Sequence, residues 1–109
     1  MPQKLAEKTI FSYEQAAELL PEVRRLTEAA HLKVEELTRR GRVKDAEDRL
    51  NEVVGQWSEA MMRRGLDVKG LWLVDFDNGS GYYCWRYPET SLMFYHSYEE
   101  GFGGRMRIQ

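Results

Sequence analysis

Apolar residues recur at intervals of three and four from Leu19 to Leu37, stop, and recur again from Val43 to Met61; no other feature restricts the fold of this 109-residue chain as tightly. Leu19, Leu20, Val23, Leu26, Ala30, Val34 and Leu37 share one stripe of a helix. Val43, Ala46, Leu50, Val53, Val54, Trp57, Ala60 and Met61 share a second. Each stretch closes on two arginines and a glycine, Arg39-Arg40-Gly41 and Arg63-Arg64-Gly65. Cations suit the negative end of a helix, and glycine takes the left-handed conformation that ends one. A connection of a few residues around Gly41 makes the helices antiparallel neighbours, each roughly 30 to 40 Å long at about 1.5 Å per residue. The result is a coiled-coil-like hairpin over about residues 12 to 64. Ser12 and Gln15 form a capping box that starts the first helix near Tyr13. Pro21 lacks a backbone donor and crowds the preceding turn, so a kink, or a short helix passing into a longer one, is expected there.

After Gly65 the period becomes that of strands. "LWLVDF", "YYCWR" and "LMFYH" are short runs of aromatic and branched residues, separated by Asp77-Asn78-Gly79-Ser80-Gly81 and by a turn centred on Pro88-Glu89. They predict a three-stranded antiparallel meander followed by an irregular C-terminal tail, over about residues 70 to 109. The chain therefore reads as α+β, a single domain of residues 1–109. Pairing Phe76 with Tyr82 and Tyr87 with Thr90 places Leu71, Leu73, Asp75, Tyr83, Trp85, Leu92, Phe94 and His96 on one face. Trp72, Val74, Phe76, Tyr82, Cys84, Arg86, Met93 and Tyr95 then fall on the other. Neither face is polar, so both need covering. The hairpin can cover one, and the tail from Gly101 to Gln109 or a second subunit the other, which makes a homo-oligomer the expected assembly. Phe102 is expected to plug an apolar hole, with Arg105 reaching back to a carboxylate.

A formal net charge of −2 gives no drive toward nucleic acid or anionic lipid. No apolar run approaches the roughly 20 residues that span a bilayer, and the start lacks a secretory apolar core, so a cytoplasmic protein is expected. Cys84, the single cysteine, excludes an internal disulfide and cannot alone make a zinc site; neither a metal nor a cofactor is expected.

In the assumed register Asp75, Tyr83 and His96 meet at one corner. A carboxylate that orients a histidine suits acid–base chemistry, with Tyr83 placing a substrate. The favoured alternative is a buried polar network that satisfies its own members. Arg86 can stack on Trp72, and Glu89 can pair with Arg86 or Arg105; the functional alternative is an anion site gripped by Arg86 and Arg105. "GFGGR" lacks the lysine and hydroxyl ending of a phosphate loop. His31, off the main stripe, is expected in solvent.

The order "FSYEQAAELLPEV", "VKGLWLVDF", "CWRYPE" and "FYHSYEEGFGGR" resembles, nearly end to end, a bacterial family of short uncharacterised proteins, the domain of unknown function 2203. Phe11, Ala16, Leu19, Leu20, Pro21 and Val23 fit its helix start. Asp75, Phe76, Cys84, Trp85, Arg86, Glu89, His96, Gly101, Phe102, Gly104 and Arg105 fit the rest. Pro88 stands where the pattern has glycine, and Trp72 to Val74 depart from its strand. The resemblance implies no activity and directs attention to Asp75, Arg86, Glu89, His96 and Arg105. Three functions are ranked: a self-associating protein-interaction or structural module, then an anionic-ligand binder using Arg86 and Arg105, then an enzyme centred on His96 and Asp75.

Overall fold

In the computed structural model, which describes residues 9–39 and 44–108, two helices lead into a five-stranded antiparallel sheet. The elements are α1 (Tyr13–Arg39), α2 (Lys44–Arg63), β1 (Asp67–Gly70), β2 (Leu73–Asp77), β3 (Tyr82–Arg86), β4 (Phe94–His96) and β5 (Met106–Arg107). The strands lie side by side in chain order, with a 3₁₀ turn, Phe102–Gly104, before β5. The hairpin and the α+β class are as expected; the sheet has two more strands than the sequence predicts, one on each edge. Both are short and polar enough to escape a search for apolar runs.

The helix boundaries follow from local chemistry. The Gln15 N–H donates to Ser12 Oγ at 3.1 Å while the Ser12 N–H donates to Gln15 Oε1 at 2.9 Å, closing the capping box. α1 then runs through Pro21 as one helix rather than breaking there. The stop at Gly41 lies outside the described residues, as does Val43. At the end of α2, Gly65 takes a φ of 89°. Its N–H donates to the Met62 carbonyl at 3.0 Å, and the Leu66 N–H to the Met61 carbonyl at 3.2 Å, the Schellman pattern that satisfies a helix's last carbonyls. Arg64 donates back to the Ala60 carbonyl and pairs with Glu22 of α1 at 2.6 Å, joining the two helices.

The core lies between the hairpin and one sheet face. Leu20 and Val23 of α1 and Trp57 and Met61 of α2 are buried with Val74, Phe76 and Trp85 of the sheet. Thr27 is buried among them: its hydroxyl donates to the Val23 carbonyl at 2.7 Å and accepts the Trp57 indole N–H at 2.8 Å. Trp72 meets Trp57 edge to face, 4.9 Å between ring centroids. His31 packs against Trp72 and Tyr87, at 5.8 and 5.0 Å, instead of standing in solvent.

The register corrects the expected faces. Leu71 and Trp72 form the turn between β1 and β2, so the run "LWLVDF" begins as a turn. Phe76 pairs with Tyr83 rather than Tyr82, and Tyr82 pairs with His96 across a connection longer than the expected Tyr87–Thr90 turn. Each pairing differs from the expected one by one residue, and one residue turns every side chain of β3 over. Tyr83 and Trp85 consequently face the helices, while Tyr82, Cys84 and Arg86 share the outer face with Asp75, Phe94 and His96. The tail covers that face: the Arg105 guanidinium lies 4.0 Å from the Phe94 ring centroid, and the Tyr98 ring packs on Tyr82 at 5.1 Å. Phe102 is no core plug; it is 40% exposed, lying against the guanidinium groups of Arg105 at 4.1 Å and Arg86 at 5.5 Å.

Candidate functional site

Three adjacent strands build the outer-face cluster. Asp75 of β2 stands directly opposite Cys84 of β3, and His96 of β4 opposite Tyr82, which puts His96 one diagonal step from Cys84. Gly81 lets the strands close up here, because a Cβ at that position would lie 2.7 Å from the His96 carbonyl oxygen. The ring of Tyr82 covers His96 at 5.3 Å, and the Lys69 ammonium sits 4.5 Å from the Tyr82 ring centroid.

His96 Nδ1 lies 2.8 Å from the Ser97 carbonyl oxygen and Nε2 lies 3.0 Å from Asp75 Oδ2. A carbonyl only accepts, so Nδ1 carries a proton, and the second contact also requires a proton between Nε2 and Oδ2. The pair thus holds one shared proton and is neutral as a unit. Asp75 and Cys84 are each 1% exposed and His96 is 3% exposed, so none of the three meets solvent. Burial pushes the Asp75 carboxyl above the usual carboxylate range, opposed by the charge of His96. Burial, reinforced by the Asp75 charge, pushes the Cys84 thiol up to about 12. Asp75 Oδ1 is buried and has no hydrogen-bond partner.

A second group adjoins the first. Arg105 Nη2 pairs with Glu89 Oε2 at 2.8 Å and Nη1 lies 3.9 Å from Cys84 Sγ. Burial works against the Arg105 charge, and the hydrogen bond and charge of Glu89 outweigh it, raising its pKa above the ordinary value. Glu89 Oε1 also accepts the Arg86 backbone N–H at 2.9 Å, and the Glu89 carbonyl accepts the Trp85 indole N–H at 2.9 Å. Glu89, Arg105, Cys84, Asp75 and His96 form one polar chain across the sheet.

The structure therefore brings Asp75 and His96 together, and Glu89 and Arg105 together, joined by a residue the sequence reading left out, Cys84. Tyr83 stands on the opposite face, edge to face with Tyr13 at 5.5 Å. The exposed Arg86 side chain lies on Phe102 and not on Trp72. Cys84 was hidden because the assumed register turned it away from Asp75; moving β3 by one residue is the signal that finds it.

The chemistry open to the cluster is limited. Both nitrogens of His96 are engaged, and the thiol is held protonated, so no activated nucleophile results. Arg105 pairs with Glu89, and its guanidinium and that of Arg86 both lie against the Phe102 ring. A cleft of about 340 Å³ between the helices, with Leu37 and Val53 in its lining, and one of about 230 Å³ lined by Tyr13, Pro21, Arg24 and Ser91 both lie away from it. Asp75, Cys84 and His96 do offer an oxygen, a sulfur and a nitrogen within 4.8 Å of one another, a set able to hold a metal ion.

Residues 9–108 match the family described as "Uncharacterized conserved protein (DUF2203)", and the chain belongs to that family. No curated protein and no solved structure matches it. None of the helices described is long and apolar enough to cross a membrane.

Proposed function

We propose that this chain, a member of a family with no assigned activity, is a self-associating interaction module whose hairpin packs on the hairpin of a second copy. The observation that carries this reading is the end of the hairpin beyond His31 and Trp57. Leu37, Leu50 and Val53 are only half-buried there and stand outside the core shared with the sheet. Two helices burying one stripe against each other make a thin structure, and a second pair completes a four-helix arrangement.

The cleft at this end suits a copy of itself. Leu37 and Val53 supply apolar surface, and Lys33 and Arg49 stand with Glu36 and Glu52 around them. Charges of both signs beside an apolar patch are compatible with self-association about a two-fold axis. The buried outer-face cluster weighs against the enzyme reading, and the Arg105–Glu89 pair against the anion-binding one.

Sedimentation analysis over a concentration series tests the proposal. The wild type is expected to dimerise. A Leu37→Asp, Val53→Asp double variant with unchanged helix content is expected to dissociate at least about tenfold more readily, the equivalent of about 1.4 kcal/mol. A wild type that stays monomeric throughout overturns the reading.

A further inference from the structure

We propose that Asp75, Cys84 and His96 form a site for one divalent transition-metal ion of the zinc class, which replaces the proton held between His96 and Asp75 and the proton of the thiol. The inference is independent of self-association.

Three features of the cluster converge on it. The first is orientation. The His96 Nδ1–H donates to the Ser97 carbonyl at 2.8 Å, the backbone contact that commonly fixes a metal-binding imidazole and turns its Nε2 lone pair inward. Nε2 is aimed at Asp75.

The second is the donor set and its spacing. Tetrahedral bonds of about 2.0 to 2.3 Å hold ligand atoms roughly 3.3 to 3.8 Å apart. Nε2 and Oδ2 are now 3.0 Å apart, and all three side chains offer donors within 4.8 Å, so the adjustment needed is within reach of side-chain rotation. Asp75 Oδ1, buried and without a hydrogen-bond partner, is a further oxygen for the ion. Mixed nitrogen, sulfur and oxygen donors favour zinc-like ions over magnesium or calcium, which take oxygen alone. Arg105 Nη1, 3.9 Å from Sγ, is placed to hydrogen-bond the coordinated thiolate.

The third is charge. Without the ion, the His96–Asp75 pair with its shared proton is neutral and so is the thiol. With a doubly charged ion, one carboxylate, one thiolate and one neutral imidazole again sum to zero. Two protons leave to solvent for each ion that enters, and a site this buried tolerates that exchange because its net charge does not change. A singly charged ion would leave it negative.

The test uses the whole chain, refolded in chelator, freed of it and titrated with cobalt(II), then with zinc. One cobalt per chain, a sulfur-to-cobalt charge-transfer band in the near ultraviolet, and release of two protons per ion in a weakly buffered solution are expected. Zinc should displace the cobalt and raise Tm. Cys84→Ser should lose the band. The absence of a band in the wild type, a band that persists in Cys84→Ser, or uptake without proton release overturns the proposal. Should Cys84→Ser fail to fold, the wild-type stoichiometry and proton count decide alone.

Discussion

At the scale of single residues, Thr27 marks how one hydroxyl can hold a helix pair together. It accepts the indole N–H of Trp57 while its own proton goes to the Val23 carbonyl, so every polar atom of this buried pair is satisfied. Thr27→Val keeps the shape and removes the acceptor, leaving a buried N–H without a partner. The expected loss is about 1 to 3 kcal/mol by urea unfolding, with Thr27→Ser recovering most of it. Neither partner's role was legible in the sequence. Thr27 is not apolar, so a search for an apolar stripe passes over it, and Trp57 reads as a hydrophobe although its N–H needs an acceptor. Asp75 and His96 were legible as neighbours for a reason that rests on cancellation: β2–β3 and β3–β4 each differ from the assumed register by one residue, so the outer two strands keep their relative phase. β3 alone turns over, which removes Tyr83 from the cluster and admits Cys84.

Elements whose limits are written in local chemistry were the most legible. The capping box of Ser12 and Gln15, and the arginines and glycine that end α2, each act within a few residues. Gly65 gives the element-scale prediction. Its φ of 89° strains any side chain, and a Cβ there would collide with the Thr9 side chain. Gly65→Ala should cost more than the about 1 to 2 kcal/mol of a left-handed alanine alone, and truncating Thr9 as well should recover part of the excess; urea unfolding of both variants measures it. β1 and β5 were illegible because short edge strands need no apolar alternation: β1 reads Asp-Val-Lys-Gly and β5 Met-Arg. The turn at Leu71–Trp72 was hidden by two apolar residues; Trp72 takes a positive φ of 61° there.

At the scale of the molecule, helices and sheet share one core, with Trp57 from the hairpin and Trp72 and Trp85 from the sheet half in mutual or common contact. Thermal unfolding followed by far-ultraviolet circular dichroism and by tryptophan fluorescence should give coincident curves. Separated transitions would mean that the hairpin and the sheet stand independently. The tail or a second subunit was expected over the outer face, with Phe102 as an apolar plug; in its place Arg105 stacks between Phe94 and Phe102. One feature of the sheet reaches beyond the finished structure. The strand order follows the chain without a crossover, so each strand is laid against the one before it. The loops closed at each step are short, and the conformational search resembles the fastening of a zipper more than the meeting of distant ends.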